Sequence, residues 1–464
     1  MIRRQGHMAS AAAMLLTFMI VAAPATLLAQ AITPEQVVAI EQVGSVALSP
    51  DAKLIAYTLS VPRAADDQYG RPYSELWVVA AAGGQAAAVV EAPRSAGSPH
   101  WSPDGSTLAF TARLEEDGRA QVYGVPAAGG EPRLLTRSPL GVMSFAWSPD
   151  GEAIAYTARE PEPAEVIERR ARGDDVQVAG EAERHVRLWV ENIGTGERHA
   201  VTPADRTVRS FVWAPDGTGF AVQMTESADV DAGYMFRRIY TVRASGGELQ
   251  RLTETKGKLG GMAWSPDGRK LAFIGAVSMN DPLAQSVFVV PAGGGEAVNR
   301  TPHLKASAQS VGWLDDNTLY FTAAEGTRTT MYRLPAERGG IDLIAGGGPE
   351  IFNSVSFDSR MRDFAAAAHT AQHPREVYAG TVRRGELERV TTHNAWLDDV
   401  ELAEQETIEW SGADGWRIEG VLVHALNGVP GVRYPLVILP HGGPEGISYD
   451  GWTTRALYPA QLLA

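Results

Sequence analysis

Late in the sequence stands Tyr434-Pro-Leu-Val-Ile-Leu-Pro-His-Gly-Gly-Pro-Glu-Gly446, and within it His441, Gly442, Gly443 and Pro444 carry the clearest chemical signal of the chain. An apolar run that ends in a Gly-Gly loop leaves backbone N–H groups open to a reacting carbonyl, because glycine has no Cβ to hold a substrate away. One preorganised donor aimed at a developing oxyanion is commonly worth about 3 kcal/mol of transition-state stabilisation. The implied chemistry is acyl transfer; the plainer alternative is a tight strand-to-loop turn. Acyl transfer also needs an activated serine, whose sequence mark is G-x-S-x-G. The nearest approach, Gly446-Ile447-Ser448-Tyr449-Asp450, has Asp where glycine is required and follows the loop too closely to be a strand-to-helix elbow. Nucleophile, acid and base are therefore expected to lie outside these 464 residues.

Other candidate chemistry is thinner. The segment from Arg159 to His185 is rich in charge, and its Asp174, Asp175, Glu181 and Glu183 could bind the free amine of a peptide; the plainer expectation is a solvated insertion. His369 and His373 stand four apart, which is ligand spacing on a helix, but Pro374 and the strand-like Glu376–Gly380 place them on a loop, so no metal site is expected. No phosphate loop, dinucleotide fingerprint or EF-hand loop occurs, and no cofactor is expected. The absence of cysteine excludes disulfides, thiol nucleophiles and thiolate metal sites together.

The elements that must position the Gly-Gly loop announce themselves as a repeat. "HWSPDGSTLAF" from His100, "AWSPDGEAIAY" from Ala146, "VWAPDGTGFAV" from Val212 and "AWSPDGRKLAF" from Ala263 are flanked by weaker copies from Ala47, Gly312 and Ser356, seven in all, spaced on average by ~51 residues. Each copy reads as a hairpin: Pro103 presets the turn, Asp104 accepts from the N–H groups that follow, and Gly105 takes the left-handed conformation. A second hairpin around a glycine pair or equivalent turn completes each unit, as in "RIYTVRASGGELQRLT" from Arg238. Two hairpins of about 50 residues make a four-stranded blade of a β-propeller. The expected fold is thus mainly β, a seven-bladed propeller whose motif tryptophans are structural. The four strands of every blade are consecutive, from near Val43 to near Thr392, so the ring should close without a swapped strand. Before it, Thr33, Pro34 and Gln36 form the N-cap, first position and capping-box partner of a short helix. After it, a hairpin around Gly412–Gly415 and the run Leu436–Leu439, read as a strand buried on both faces, change the pattern to the start of an α/β unit, and "ALYPAQLLA" opens a helix.

Composition narrows the partners. A net charge of -14, with no long basic run, argues against nucleic acid or an anionic membrane surface. Arg3 and Arg4, an apolar run from about Ala11 to Ala23 and Ala29-Gln30-Ala31 read as a secretory signal peptide over 1–31, which makes the mature protein secreted or periplasmic. The run is too short to span a bilayer, although a membrane-anchored N-terminus stays the alternative. The expected domains are the signal peptide, a propeller with its short helix over 32–395, and the start of a hydrolase domain over 396–464.

Leader, "ITPEQ" helix, "WSPDG" propeller and "YPLVILPHGGPEG" together resemble the secreted prolyl oligopeptidase family of serine peptidases, most of all its acylaminoacyl-peptidase and dipeptidyl-peptidase-like branch. The resemblance covers the chain after residue 31. It implies an α/β-hydrolase domain in which the loop His441–Pro444 supplies an oxyanion donor, a short peptide as substrate, and a chain cut short early in the catalytic domain and inactive alone. "WSPDG" by itself is less specific, since noncatalytic periplasmic propellers share it. The rivals are accordingly a noncatalytic binding or scaffold propeller and an esterase of the same fold.

Overall fold

The computed structural model describes residues 30–464 apart from 116–117, 175, 177–183, 281–284 and 444. Seven four-stranded antiparallel sheets follow one another over residues 42–90, 96–134, 144–200, 207–251, 259–299, 307–346 and 351–389. They are the seven blades expected from the repeat. The first strands of neighbouring blades face each other around the axis, and the short fourth strands lie outermost. Alternation puts one side of every strand into a blade-to-blade layer. Phe321, Leu319 and Trp313 of the sixth blade pack on Ile274 and Val287 of the fifth, and Phe220 of the fourth packs on Leu188 of the third.

The motif turns work as the sequence requires. Ser102 Oγ donates to Asp104 Oδ1 at 2.5 Å, Asp104 Oδ1 accepts the Ser106 N–H at 3.0 Å, and Gly105 stands at φ 72°. The Ser102 hydroxyl, then the Ser106 N–H, hold the Asp104 carboxyl below the usual carboxylate range. Each turn also reaches its neighbour one blade back. A Cβ on Gly105 would stand 3.3 Å from Pro50 Cδ, and one on Gly151 would stand 3.5 Å from Pro103 Cδ. The indoles of Trp101, Trp147 and Trp313 donate to the carbonyls of Ala47, His100 and Ala263 at 3.0, 3.3 and 3.0 Å. These three tryptophans are thus staples between blades.

A further repeated device went unread in the sequence. A threonine follows the fourth strand, and its hydroxyl accepts a third-strand N–H: Thr136 from Val122, Thr202 from Leu188, Thr301 from Val287 and Thr391 from Val377, at 3.0, 3.0, 2.9 and 2.9 Å. For three of the four the signal was available in the "LT" at 135–136 and the "VT" at 201–202 and 390–391; Thr301 follows an arginine.

The first and last blades meet with no shared strand. Their seam is an apolar layer of Val43, Ile55, Tyr57 and Leu59 against Ala365, Ala367 and Val377. A few polar ties accompany it: Ser356 Oγ accepts the Leu48 N–H at 3.0 Å, Ser359 donates its N–H and hydroxyl to Pro50 O at 3.1 and 2.8 Å, and Arg375 Nε donates to Val43 O at 2.7 Å.

Consecutive antiparallel strands give the ring two unlike faces. The motif turns and the third-to-fourth turns open on one; the second-to-third connections and the blade-to-blade links open on the other, hereafter the loop face. Both flanking segments lie on the loop face. The helix Pro34–Val38 has the expected capping box of Thr33 and Gln36, and Ile32, Val37 and Ile40 pack with Leu397 and Trp452 into a small separate core. Residues 1–29 of the leader lie outside the described residues, and Gln30 and Ala31 pair in parallel with Val400 and Glu401. Among the described residues no helix is long and apolar enough to cross a membrane.

Three local expectations need correction or refinement. The hairpin forms as read, Gln405–Ser411 with Arg417–Val423, but Leu436–Leu439 is not a buried strand. It pairs with nothing among the described residues, and Leu436 and Ile438 are 74% and 75% exposed; an apolar run becomes a strand only where neighbours satisfy its backbone. The described part of the insertion in the third blade is solvated, yet it contains a helix, Ala164–Ala171, with no buried residue and an Arg170–Glu162 ion pair at 2.8 Å. His369 and His373 lie not on a loop but on the strands Asp363–Thr370 and His373–Thr381, either side of a tight turn in which Thr370 pairs with His373.

Candidate functional site

The loop of His441, Gly442 and Gly443 is shaped by its glycines. Gly443 has φ 129°, and a Cβ there would meet the backbone nitrogens of Glu445 and Gly446 at 2.7 and 2.8 Å. Gly446 closes the turn by donating its N–H to Gly442 O at 3.0 Å, and a Cβ on Gly446 would sit 2.4 Å from that oxygen. Gly442 has open space beside it, with no heavy atom within 4 Å of where a Cβ would stand. Neither Gly442 nor Gly443 donates its N–H to a partner among the described residues, and both are exposed. Free, glycine-flanked donors of this kind suit an incoming oxyanion. Pro444, the fourth residue of the predicted loop, lies outside the described residues. The His441 side chain is exposed and reaches only Gly442 O, at 3.4 Å.

The chain leaving this loop crosses the loop face with anchors on successive blades. Glu445 forms an ion pair with Lys258, at the entry to the fifth blade, and the Lys258 ammonium lies 5.8 Å from the centre of the Tyr234 ring. Tyr449 accepts from Gln309 Nε2 at 2.6 Å in the sixth blade. Asp450 donates its N–H to Thr327 O at 2.9 Å and takes Arg328 Nη2 on its carboxylate at 2.5 Å, both from the second-to-third turn of the same blade. Trp452 donates its N–H to His369 Nδ1 at 2.7 Å in the seventh. None of these anchors was legible beforehand, because they join residues 83 to 187 positions apart.

Of the other predicted site residues, the described one, Asp174, is not drawn to this loop. Asp174 lies in the third-blade insertion, half-exposed, with its carboxylate 3.7 Å from Arg169 Nε. Asp175, Glu181 and Glu183 lie outside the described residues. His369 acts as a hydrogen-bond acceptor. Burial, followed by the nearby charges of Arg375, His373 and Arg455, pushes its pKa down to about 3, so the ring is neutral and its Nδ1 is free to take the Trp452 N–H.

This last contact has a pH consequence. Between about 3 and the ordinary value of 6.5 the unfolded ring holds a proton that the folded ring lacks, so the stability of the folded arrangement is full above pH 6.5 and falls as the pH drops. The slope is roughly 1.4 kcal/mol per unit while the ring stays buried. Limited proteolysis is expected to cut residues 441–464 faster at pH 5 than at pH 7, and His369→Asn, whose carbonyl still accepts but does not titrate, should flatten that dependence. A cutting rate that is equally pH-dependent in the variant would remove His369 from the account.

Comparison with known proteins adds the kinship. A family model described as the TolB beta propeller domain matches residues 29–185. Dipeptidyl-peptidase 5 of Porphyromonas gingivalis is 24% identical over 478 residues, covering 91% of this chain and 65% of that protein. Among solved structures, an acylaminoacyl peptidase in complex with Z-Gly-Gly-Phe-chloromethyl ketone superposes with a TM-score of 0.69 at 17% identity, covering 91% of this chain and 64% of the other. The propeller domain of the Trilobed protease from Pyrococcus furiosus, described as having an open velcro topology, gives a TM-score of 0.54 at 15% identity over 76% of this chain and 99% of that one. The chain therefore spans less than two thirds of the length of the dipeptidyl-peptidase and of the acylaminoacyl peptidase. The likeness expected from the sequence is found: the chain is similar in sequence to a dipeptidyl-peptidase 5 and in fold to an acylaminoacyl peptidase.

Proposed function

We propose, on the premise that these homologues are peptidases, that the chain is the propeller and oxyanion-loop portion of a serine peptidase that cleaves short peptides by acyl transfer. One observation carries this reading: the unengaged N–H groups of Gly442 and Gly443 stand in a loop anchored over the loop face of the ring. In this reading the loop binds the oxyanion of the tetrahedral intermediate, and the propeller covers the site, admits short or unfolded chains and excludes bulk water. The serine, its acid and its base come from outside residues 1–464, which alone should not turn over. Residues 1–31 act as a secretory leader, 32–395 as the propeller and 396–464 as the opening of the hydrolase domain, in a secreted or periplasmic protein. The carboxylates of the third-blade insertion, Asp174 with Asp175, Glu181 and Glu183, are the proposed holders of a peptide amine, since that insertion also opens on the loop face. A noncatalytic scaffold is less favoured, because a pure propeller has no use for a glycine loop anchored in this way.

The test is to express the chain with its downstream coding sequence and assay aminoacyl, dipeptidyl and simple ester chromogenic substrates beside a serine-directed fluorophosphonate probe. Hydrolysis and one labelled serine in the longer product, with no labelling of residues 1–464, is the expected result. Absence of hydrolysis and labelling in every longer product would leave the scaffold reading. Turnover of esters alone would favour the esterase.

A further inference from the structure

The His441–Gly446 loop makes little contact of its own. Its internal bond runs from the Gly446 N–H to Gly442 O, and its outward tie is the Glu445–Lys258 ion pair. What fixes the chain on either side is a single buried knot centred on Asp450, which is 6% exposed. On the downstream side, Arg328 holds Asp450 twice, with Nη2 on the carboxylate Oδ2 at 2.5 Å and Nη1 on the main-chain oxygen at 3.4 Å. Its Nη1 also donates to Gly348 O at 3.2 Å, so the guanidinium is seated in the sixth blade. On the upstream side, the hairpin that leads into the loop ends on the same carboxylate. Gln405 Nε2 donates to Asp450 Oδ1 at 2.8 Å and Thr407 Oγ1 to Oδ2 at 3.3 Å. Thr407 in turn shares a 2.8 Å hydroxyl contact with Thr327, the residue before Arg328. The chain after the loop and the first strand of the hairpin before it are therefore referred to one turn of the propeller.

A buried carboxylate keeps this arrangement only while its charge is met. With Arg328 removed, Asp450 would face Gln405 and Thr407 alone, and a half-paired buried charge seeks water. The chain from Glu445 to Trp452 would then rest on Lys258, Gln309, the Thr327 carbonyl and His369, and lose the charged anchor at the Asp450 side chain. A displacement of about 1 Å at an oxyanion donor costs on the order of a hundredfold in rate, so the geometry at Asp450 is passed on to Gly442 and Gly443.

We propose that Arg328 is a positioning residue for the Gly442 and Gly443 donors, acting through Asp450, so that the propeller sets the geometry of the acyl-transfer site as well as covering it. This rests on the peptidase reading for its catalytic consequence but not for its structural one.

The experiment is peptide-resolved hydrogen exchange on the 464-residue chain and on its Arg328→Ala and Arg328→Lys variants. Arg328→Ala is expected to raise exchange across 446–453, where the Gly446, Asp450 and Trp452 N–H groups are bonded, by about tenfold or more while the blade strands Thr318–Glu325 and Arg328–Pro335 keep their protection, and Arg328→Lys should recover most of the difference. Unchanged exchange across 446–453, or loosening of the whole sixth blade, would overturn the proposal. In the longer product, Arg328→Ala should lower kcat by about a hundredfold with KM little changed, and lysine should restore part of it. A raised KM at unchanged kcat would instead make Arg328 a substrate-binding residue and defeat the proposal. Should no form hydrolyse any peptide, the peptidase reading fails, and the exchange result still decides whether Arg328 holds the loop.

Discussion

Alanine at Gly443 is expected to lower peptide hydrolysis by about two to three powers of ten, with KM changed little, in the product that carries the catalytic serine. The cause is conformational. Gly443 occupies φ 129°, where a side chain is strained, and its Cβ would press to 2.7 Å from the Glu445 nitrogen and 2.8 Å from that of Gly446. Relief requires rotating the peptide units on either side, and the unit before Gly443 carries its N–H, one of the two proposed donors, whereas the unit after it leads into Pro444 and has none. Alanine at Gly442 is the control, since that position has no positive φ and no heavy atom within 4 Å of the added methyl, so the loop should keep its shape. Steady-state kinetics on one dipeptidyl substrate compares the two. Full activity in Gly443→Ala would show that these N–H groups do not hold the oxyanion. Equal losses in both would trace the effect to crowding of the carbonyl rather than to backbone geometry.

The second large effect concerns the seam of the ring. Tyr57 is fully buried between the first and last blades, with its hydroxyl 3.1 Å from His393 Nε2 and its ring 5.6 Å from the histidine ring. Tyr57→Ala should cost about 3–5 kcal/mol of unfolding free energy, the usual loss for emptying an aromatic site in a close-packed core. Phe321→Ala, in the layer between the fifth and sixth blades, should cost a similar amount. The two should differ in where protection is lost. The seam has no shared strand to hold it, so Tyr57→Ala should release the strands Gln42–Leu48 and Ile351–Phe357 first, whereas Phe321→Ala should weaken a layer whose blades remain enclosed on both sides. Urea unfolding with hydrogen exchange measures both. A cost under about 1 kcal/mol, or identical exchange maps, would mean that the seam is no weaker than any other layer.

What the sequence disclosed follows the range of the forces involved. The blades were legible because each motif turn is local: Ser102, Asp104 and Ser106 bond within five residues, and the hairpins that they close carry period-two alternation. The helix at Pro34–Val38 was legible for the same reason, since its capping box spans three residues. Leu436–Leu439 misled because four consecutive apolar residues say only that burial is favourable, whereas a strand also requires partners. The helix Ala164–Ala171 escaped because its short apolar stripe of Ala164, Ile167 and Ala171 sits in a charge-rich run and is buried against nothing; its support is end charges and the Arg170–Glu162 pair. Within the candidate site, the glycines were readable and the ties of Lys258, Gln309, Arg328 and His369 were not. A lysine or glutamine on a strand end carries no mark of the residue it will meet more than a hundred positions later.

The closure without a shared strand also bears on how such a ring can change over generations. No strand belongs to two blades, so the stretch of gene that encodes a blade coincides with the unit that folds. Tandem duplication or deletion of one such stretch inserts or removes a complete four-stranded sheet with its own motif turn, and leaves no orphan strand at the join. A ring latched by an exchanged strand lacks that freedom, because its ends must match whenever the blade number changes.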